Sequence, residues 1–199
     1  NKCVFDLDRI KLQFADQKPN IVVISHASNV FGIVAPIEKI CALSKQHAAV
    51  NVIDMCQTAG LLDTDLSSED IDYAVFAGHK TLYGPLGVAG FICSGMTDLA
   101  PLIFGGTGID SQNQSMPNTV PERYEAASPN IHAISGLYAA LEWIKKTGIA
   151  NIYEAEKRNH EKLLKILSEY DNIRIYPPAG TADCIGVVSC VFDGYGSDN

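Results

Sequence analysis

Long apolar runs are missing from this chain of 199 residues, so no segment of it reads as a bilayer-spanning helix. Basic charge is also scarce. Lys and Arg number 15 against 23 Asp and Glu, a formal net charge of -8, which argues against nucleic acid and against an anionic membrane surface as partners. The six cysteines are scattered, with no Cys-x-x-Cys pair. That pattern fits reduced thiols in a cytoplasmic protein better than a disulfide framework, and it supplies no clustered ligands for zinc. No basic-then-apolar leader opens the chain, which starts Asn1-Lys2-Cys3 without an initiator Met. No Gly-x-Gly-x-x-Gly follows the first predicted strand and no Walker sequence occurs, which sets aside a nucleotide-binding domain.

What is present is a globular composition, 47% hydrophobic and 19% charged, able to bury a sizeable core. Short apolar runs bounded by turn residues predict strands over 21–25, 50–55, 70–76 and 88–93. Pro36 opens a helical pattern in which Ile37, Ile40, Cys41 and Ser44 share one face. Strands alternating with helices imply a largely parallel sheet with covered faces. The short connection from Lys80 to Val88 suggests that the fourth strand runs antiparallel. Residues 104–125 are rich in Gly, Asn, Gln and Pro and read as a long loop of functional or interfacial character. Ile134, Leu137, Tyr138, Leu141 and Ile144 mark an amphipathic helix that Gly148 ends, and a second helix spans roughly 152–170. Strands are expected over 173–176 and 185–192. A domain change is placed near Gly148, with residues 1–148 in a large domain and 149–199 opening a small α+β domain.

Ligands of open parallel sheets sit beyond the carboxyl ends of the strands. Asn29, Asp54 with Gln57, and His79 with Lys80 all fall just past such ends. Each alone has an ordinary reading: a lone Lys after a strand is usually solvated, and a lone Asp is usually a cap or turn residue. His26 suits a hydrogen-bonded core histidine as well as a ligand, and Cys56 and Cys93 read as buried small hydrophobes. Taken together the set suits pyridoxal phosphate (PLP). Lys80 offers the amine for the aldehyde, and Asp54 the carboxylate beside the pyridine nitrogen. Gln57 offers a donor to the phenolate oxygen, His79 a donor to the phosphate, and Asn29 suits the phenolate oxygen or a substrate carboxylate.

The segments ISHASNVFGIVAPI, VIDMCQTAG, DYAVFAGHKTLYGPLGVAGF, FGGTG and PERYEAASPNIHAI closely resemble the fold-type I PLP enzymes of aminotransferase class V, and among them the cysteine desulfurase and selenocysteine lyase group. The resemblance is strongest from Ile21 to about Gly90 and continues more weakly over nearly the whole chain. It implies an α/β fold: part of a PLP-binding large domain with a mostly parallel sheet, followed by part of a small C-terminal α+β domain. It implies Lys80 as the Schiff-base lysine, Asp54 as the pyridinium partner, Gln57 as the phenolate contact, His79 as a phosphate ligand, and Asn29 near the phenolate and substrate carboxylate. Ser128 falls where the family carries a hydroxyl that reaches the phosphate of the other subunit's cofactor, which implies a homodimer with a shared active site.

Two local departures accompany the likeness. Ala77 stands where the family usually has a phosphate-binding Ser, and Met55-Cys56 stands where it often has two small residues. The family's phosphate loop at a helix N-terminus and its ring-stacking His have no counterpart before Ile21, and none of the six cysteines aligns with its nucleophile. The chain is therefore expected to be an internal segment of a longer protein. The activity implied is cleavage of a carbon–sulfur or carbon–selenium bond in a cysteine-like amino acid, with a possible sulfur-acceptor protein as partner. The alternatives are a class V aminotransferase or epimerase, or a folded segment without turnover of its own.

Overall fold

The computed structural model describes residues 4–68, 70–95, 99–106, 108, 112–176 and 183–196. Four short strands form its central sheet in the order β1 (Ile21–Ser25), β2 (Val50–Asp54), β3 (Tyr73–Ala77) and β4 (Ala89–Cys93). The first three run parallel, with Ser25 opposite Asp54 and Asp54 opposite Val75. Strand β4 pairs antiparallel with β3, as the short connection after Lys80 suggested. Parallel neighbours need a crossover, and α2 (Ile37–Lys45) supplies the one between β1 and β2. Ile37, Ile40, Cys41 and Ser44 are its buried face, the periodicity read from sequence.

The strand over 70–76 starts later than expected, at Tyr73, because the residues before it serve a buried polar network. Asn51 in β2 is fully buried. Its amide nitrogen Nδ2 donates to the Asp70 carbonyl at 2.8 Å, and its backbone N–H donates to Asp72 Oδ2 at 2.6 Å. Ser44 Oγ lies 2.6 Å from Asn51 Oδ1, and Lys45 Nζ lies 2.7 Å from Asp72. The network satisfies a polar side chain that would otherwise be costly in the core.

Helix α1 (Leu7–Gln17) was not anticipated. Asp6 caps it by accepting from the Arg9 N–H, and Lys18 ends it in the left-handed region at φ 46°. Leu7, Ile10 and Phe14 pack against the cluster formed by Ile24, Ile37, Ile40, Ile53 and Ala74. A second cluster gathers Leu61, Leu82, Leu137, Ile144, Ile152 and Ile185. It rests on α3 (Ile131–Thr147) and α4 (Ile149–Leu167), which meet at Gly148 with φ 85°. Asn130 caps α3 by accepting from the Ala133 N–H. Strands β5 (Ile173–Tyr176) and β6 (Ser189–Phe192) form a separate antiparallel pair. Residues 185–188 were expected in the last strand and are not. Ile185 N–H donates instead to the Gly32 carbonyl, and Val187 N–H folds back onto the Ile185 carbonyl. The described part of 104–125 is irregular apart from a single 3-10 turn at Glu122–Tyr124.

Candidate active site

Three parallel strands end side by side, and the residues after them form one edge. Asp54 is the last residue of β2, and its Oδ1 accepts the Cys56 N–H at 2.9 Å, which turns the chain at the strand end. Burial alone would raise the Asp54 pKa. The Cys56 thiol and amide, the Lys80 charge and the Ser25 hydroxyl outweigh it and hold the carboxyl below its ordinary value. Asp54 is therefore an anion at neutral pH, and it feels the Lys80 charge. Gln57 is half-buried in the same turn, while His79 and Lys80 are exposed.

The Lys80 turn is tightly seated. Gly78 N–H donates to the Val88 carbonyl, Gly84 N–H to the Gly78 carbonyl at 2.7 Å, and Tyr83 N–H to the Lys80 carbonyl at 2.9 Å. A Cβ on Gly84 would stand 2.8 Å from the Gly78 oxygen and 2.9 Å from Leu137 Cδ1. Trp143 of α3 meets Tyr83 edge-on, with ring centroids 5.1 Å apart. The amine of Lys80 thus projects from a turn braced against α3.

Asn29 lies in the loop between β1 and α2 and is exposed. Ser28 shapes that loop: its hydroxyl accepts from the Val30 and Phe31 N–H groups, and its carbonyl accepts from Gly32. Gly32 needs its φ of 70°, and a Cβ there would meet the Ile185 and Val187 carbonyls at 3.0 Å. Ser128 stands apart. It is exposed, two residues before the cap of α3, and among the described residues no hydrogen bond joins it to the strand-end group.

Three residues differ from their expected roles or resolve an open one. His26 is a buried histidine, with Nδ1 2.9 Å from Thr58 Oγ1. Burial lowers its pKa against the opposing pull of Glu38, so the ring is neutral at pH 7. Cys56 is not a plain buried hydrophobe. It is half-buried, and burial followed by the Asp54 hydrogen bond and charge pushes its thiol pKa up, against Lys80 and the Ala77 backbone. A Cys two residues after a strand-end Asp was the available signal, since that spacing returns the side chain to the carboxylate. Cys93 is also half-buried rather than buried.

An exposed amine, an ionised carboxylate, an amide and an imidazole lie along one strand edge, and this set fits an electron-withdrawing aldehyde that carries a basic ring nitrogen and an anionic group.

Comparison with known proteins gives the family. The family profile described as aminotransferase class-V matches residues 2–199. A protein named probable cysteine desulfurase 2 from Mycobacterium leprae is 31% identical over 193 residues, covering 95% of this chain and 45% of its own length. A cysteine desulfurase of Escherichia coli O127:H6 is 33% identical over 179 residues, covering 87% and 43%. The apo structure of cysteine desulfurase from Thermococcus onnurineus NA1 superposes with a TM-score of 0.80 at 26% identity, over 98% of this chain and 49% of that one. A C-DES variant with glycine covalently linked to its PLP cofactor superposes with a TM-score of 0.76 at 25% identity, over 92% and 50%. The chain spans about half the length of these relatives or less. With the family profile matching residues 2–199, the chain belongs to the aminotransferase class-V family.

Proposed function

We propose that the protein is a PLP-dependent enzyme that cleaves the carbon–sulfur bond of a cysteine-type amino acid, with Lys80 as the amine that holds the cofactor. The observation that supports this reading is the convergence of the ends of parallel strands β2 and β3, which carry Asp54 with Gln57 and, just beyond, His79 with Lys80 along one sheet edge. PLP, when bound, supplies an electron sink for a carbanion at the substrate α-carbon. Asp54, whose carboxyl stays ionised against burial, would hold a proton on the ring nitrogen of bound PLP. Gln57 and Asn29 offer amide donors to the phenolate oxygen and the substrate carboxylate, and His79 offers one to the phosphate. The Lys80 amine, exposed just beyond β3, would also be the group to move a proton at the substrate α-carbon.

The sulfur-accepting thiolate is a separate group. Cys56 does not serve, because its raised pKa and its bond to Asp54 keep it protonated, and a protonated thiol is a poor nucleophile. The names of the relatives support the sulfur chemistry. Selenocysteine is the close competitor as substrate. By resemblance we also assign a cytoplasmic homodimer in which Ser128 reaches the phosphate in the partner site, and a sulfur-acceptor protein as downstream partner.

The test uses the full-length protein, since the chain spans about half of its relatives or less. With PLP, cysteine and a reductant, alanine and sulfide should form in equal amounts, and Lys80→Ala should reduce both by at least about a thousandfold. Transfer of the amino group to a 2-oxo acid, with no sulfide released, would contradict the proposal. Running selenocysteine beside cysteine ranks the two substrates.

A further inference from the structure

We propose that the buried His26–Thr58 pair is a positioning latch, holding the turn that carries Asp54 and Gln57 against the loop that carries Asn29. The role rests on the PLP reading above, because it concerns where those three side chains meet a cofactor.

His26 stands where two ligand-bearing loops diverge. It directly follows β1. Its backbone N–H donates to the Asp54 carbonyl at 2.9 Å, and its own carbonyl accepts the Ala35 N–H at 2.8 Å. The loop between His26 and Ala35 contains Asn29. Thr58 directly follows Gln57, and its N–H donates to the Met55 carbonyl at 2.9 Å. The Thr58 carbonyl accepts from both Leu61 and Leu62. The side chains close the gap between the loops, Thr58 Oγ1 to His26 Nδ1, at 2.9 Å. Thr58 is fully buried and His26 is 4% exposed.

Water does not reach this bond, so deleting one partner leaves the other unsatisfied in the interior. The sheet does not depend on it, because β1, β2 and β3 are joined by their own ladders. What the bond restrains is the relative placement of two loops, and a shift of an ångström there is felt in ligand geometry. A mere core contact would change stability alone. A latch changes cofactor affinity beyond its effect on stability.

The experiment measures PLP affinity by equilibrium dialysis, and the unfolding midpoint without PLP, in the full-length protein. Thr58→Val removes the hydroxyl at nearly constant volume, and Thr58→Ser restores it. Ser44→Ala, in the polar network behind β2, is the control for lost buried hydrogen bonding away from the strand ends. Thr58→Val should raise the PLP Kd about tenfold, and Thr58→Ser should return it to within about threefold of the parent. Ser44→Ala should lower the midpoint and leave the Kd unchanged. A Thr58→Val protein that binds PLP as the parent does would overturn the latch. Should that variant not fold, His26→Asn keeps an amide where Nδ1 stands and His26→Gln moves it away. A weaker Kd for the Gln variant supports the latch, and equal values overturn it. Amide exchange in the cofactor-free protein separates this idea from the PLP reading. Thr58→Val should speed exchange at residues 56–59 about tenfold and leave α3 unchanged. If the parent binds no PLP, the function falls and the cofactor role with it. Unaltered exchange at 56–59 overturns the latch by itself.

Discussion

Cys41 and Cys56 carry the same side chain in two settings. Cys41 is fully buried in α2, and its thiol is pushed from 9.0 up to about 11, by burial first and then by the carboxylates of Asp70, Glu38 and Asp72 against Lys45. An unfolded thiol ionises near 9.0, so the stability tied to Cys41 is complete below that pH and is lost as pH rises toward 11. Cys41→Ala loses core packing at neutral pH. Denaturant titrations of parent and variant should show the gap between them shifting by on the order of 2–3 kcal/mol from pH 8 to 11. A constant gap would mean that Cys41 is not shielded. Asp54 behaves in the opposite sense. Its folded pKa lies below the unfolded value of 3.8, so its contribution is present above that pH and is lost as the pH falls through the folded value. Asp54→Asn should therefore flatten the acid limb of the stability curve below about pH 4, measured by the same titrations.

The turn between β3 and β4 is the element on which the site depends. Gly78 and Gly84 approach each other backbone to backbone, and Leu137 fills the remaining space. Gly84→Ala should cost about 1–3 kcal/mol through overpacking and displace Lys80, read as a lower melting midpoint together with weakened PLP binding. At this scale much was legible in the sequence. Asp54, Gln57, His79 and Lys80 follow short, largely apolar runs, and a parallel sheet brings the ends of such runs together. The buried face of α2 was legible for the same reason, as a periodic local pattern. What escaped depends on distant partners. The apolar run around Asn51 concealed a network that needs Ser44, Asp70 and Asp72. Residues 185–188 alternate like a strand, yet their backbone is committed to the loop at Gly32. Helix α1 has no fully buried residue, so its apolar stripe gives only a weak periodic signal. The bond of His26 to Thr58, 32 positions apart, is announced by no local motif.

Across the molecule, both sheet edges carry exposed apolar side chains. On β1, Ile21 is 63% and Val23 70% exposed; on β4, Phe91 is 41% and Ile92 52% exposed. A free edge with apolar flanks favours association. Sedimentation of the 199-residue chain should show mass rising with concentration, and Val23→Lys should shift it toward monomer. We retain as a proposal the domain change near Gly148. Limited proteolysis cutting first between 177 and 183 would place the boundary later, beyond α4. Lys80, on an edge shared with Asp54, is proposed as the cofactor-holding amine. Borohydride trapping with PLP, followed by peptide mass mapping, tests it most directly in the full-length protein. One PLP adduct per chain is expected, on the peptide containing Lys80 and absent from Lys80→Ala. An adduct on another lysine, or one that persists in Lys80→Ala, would contradict it.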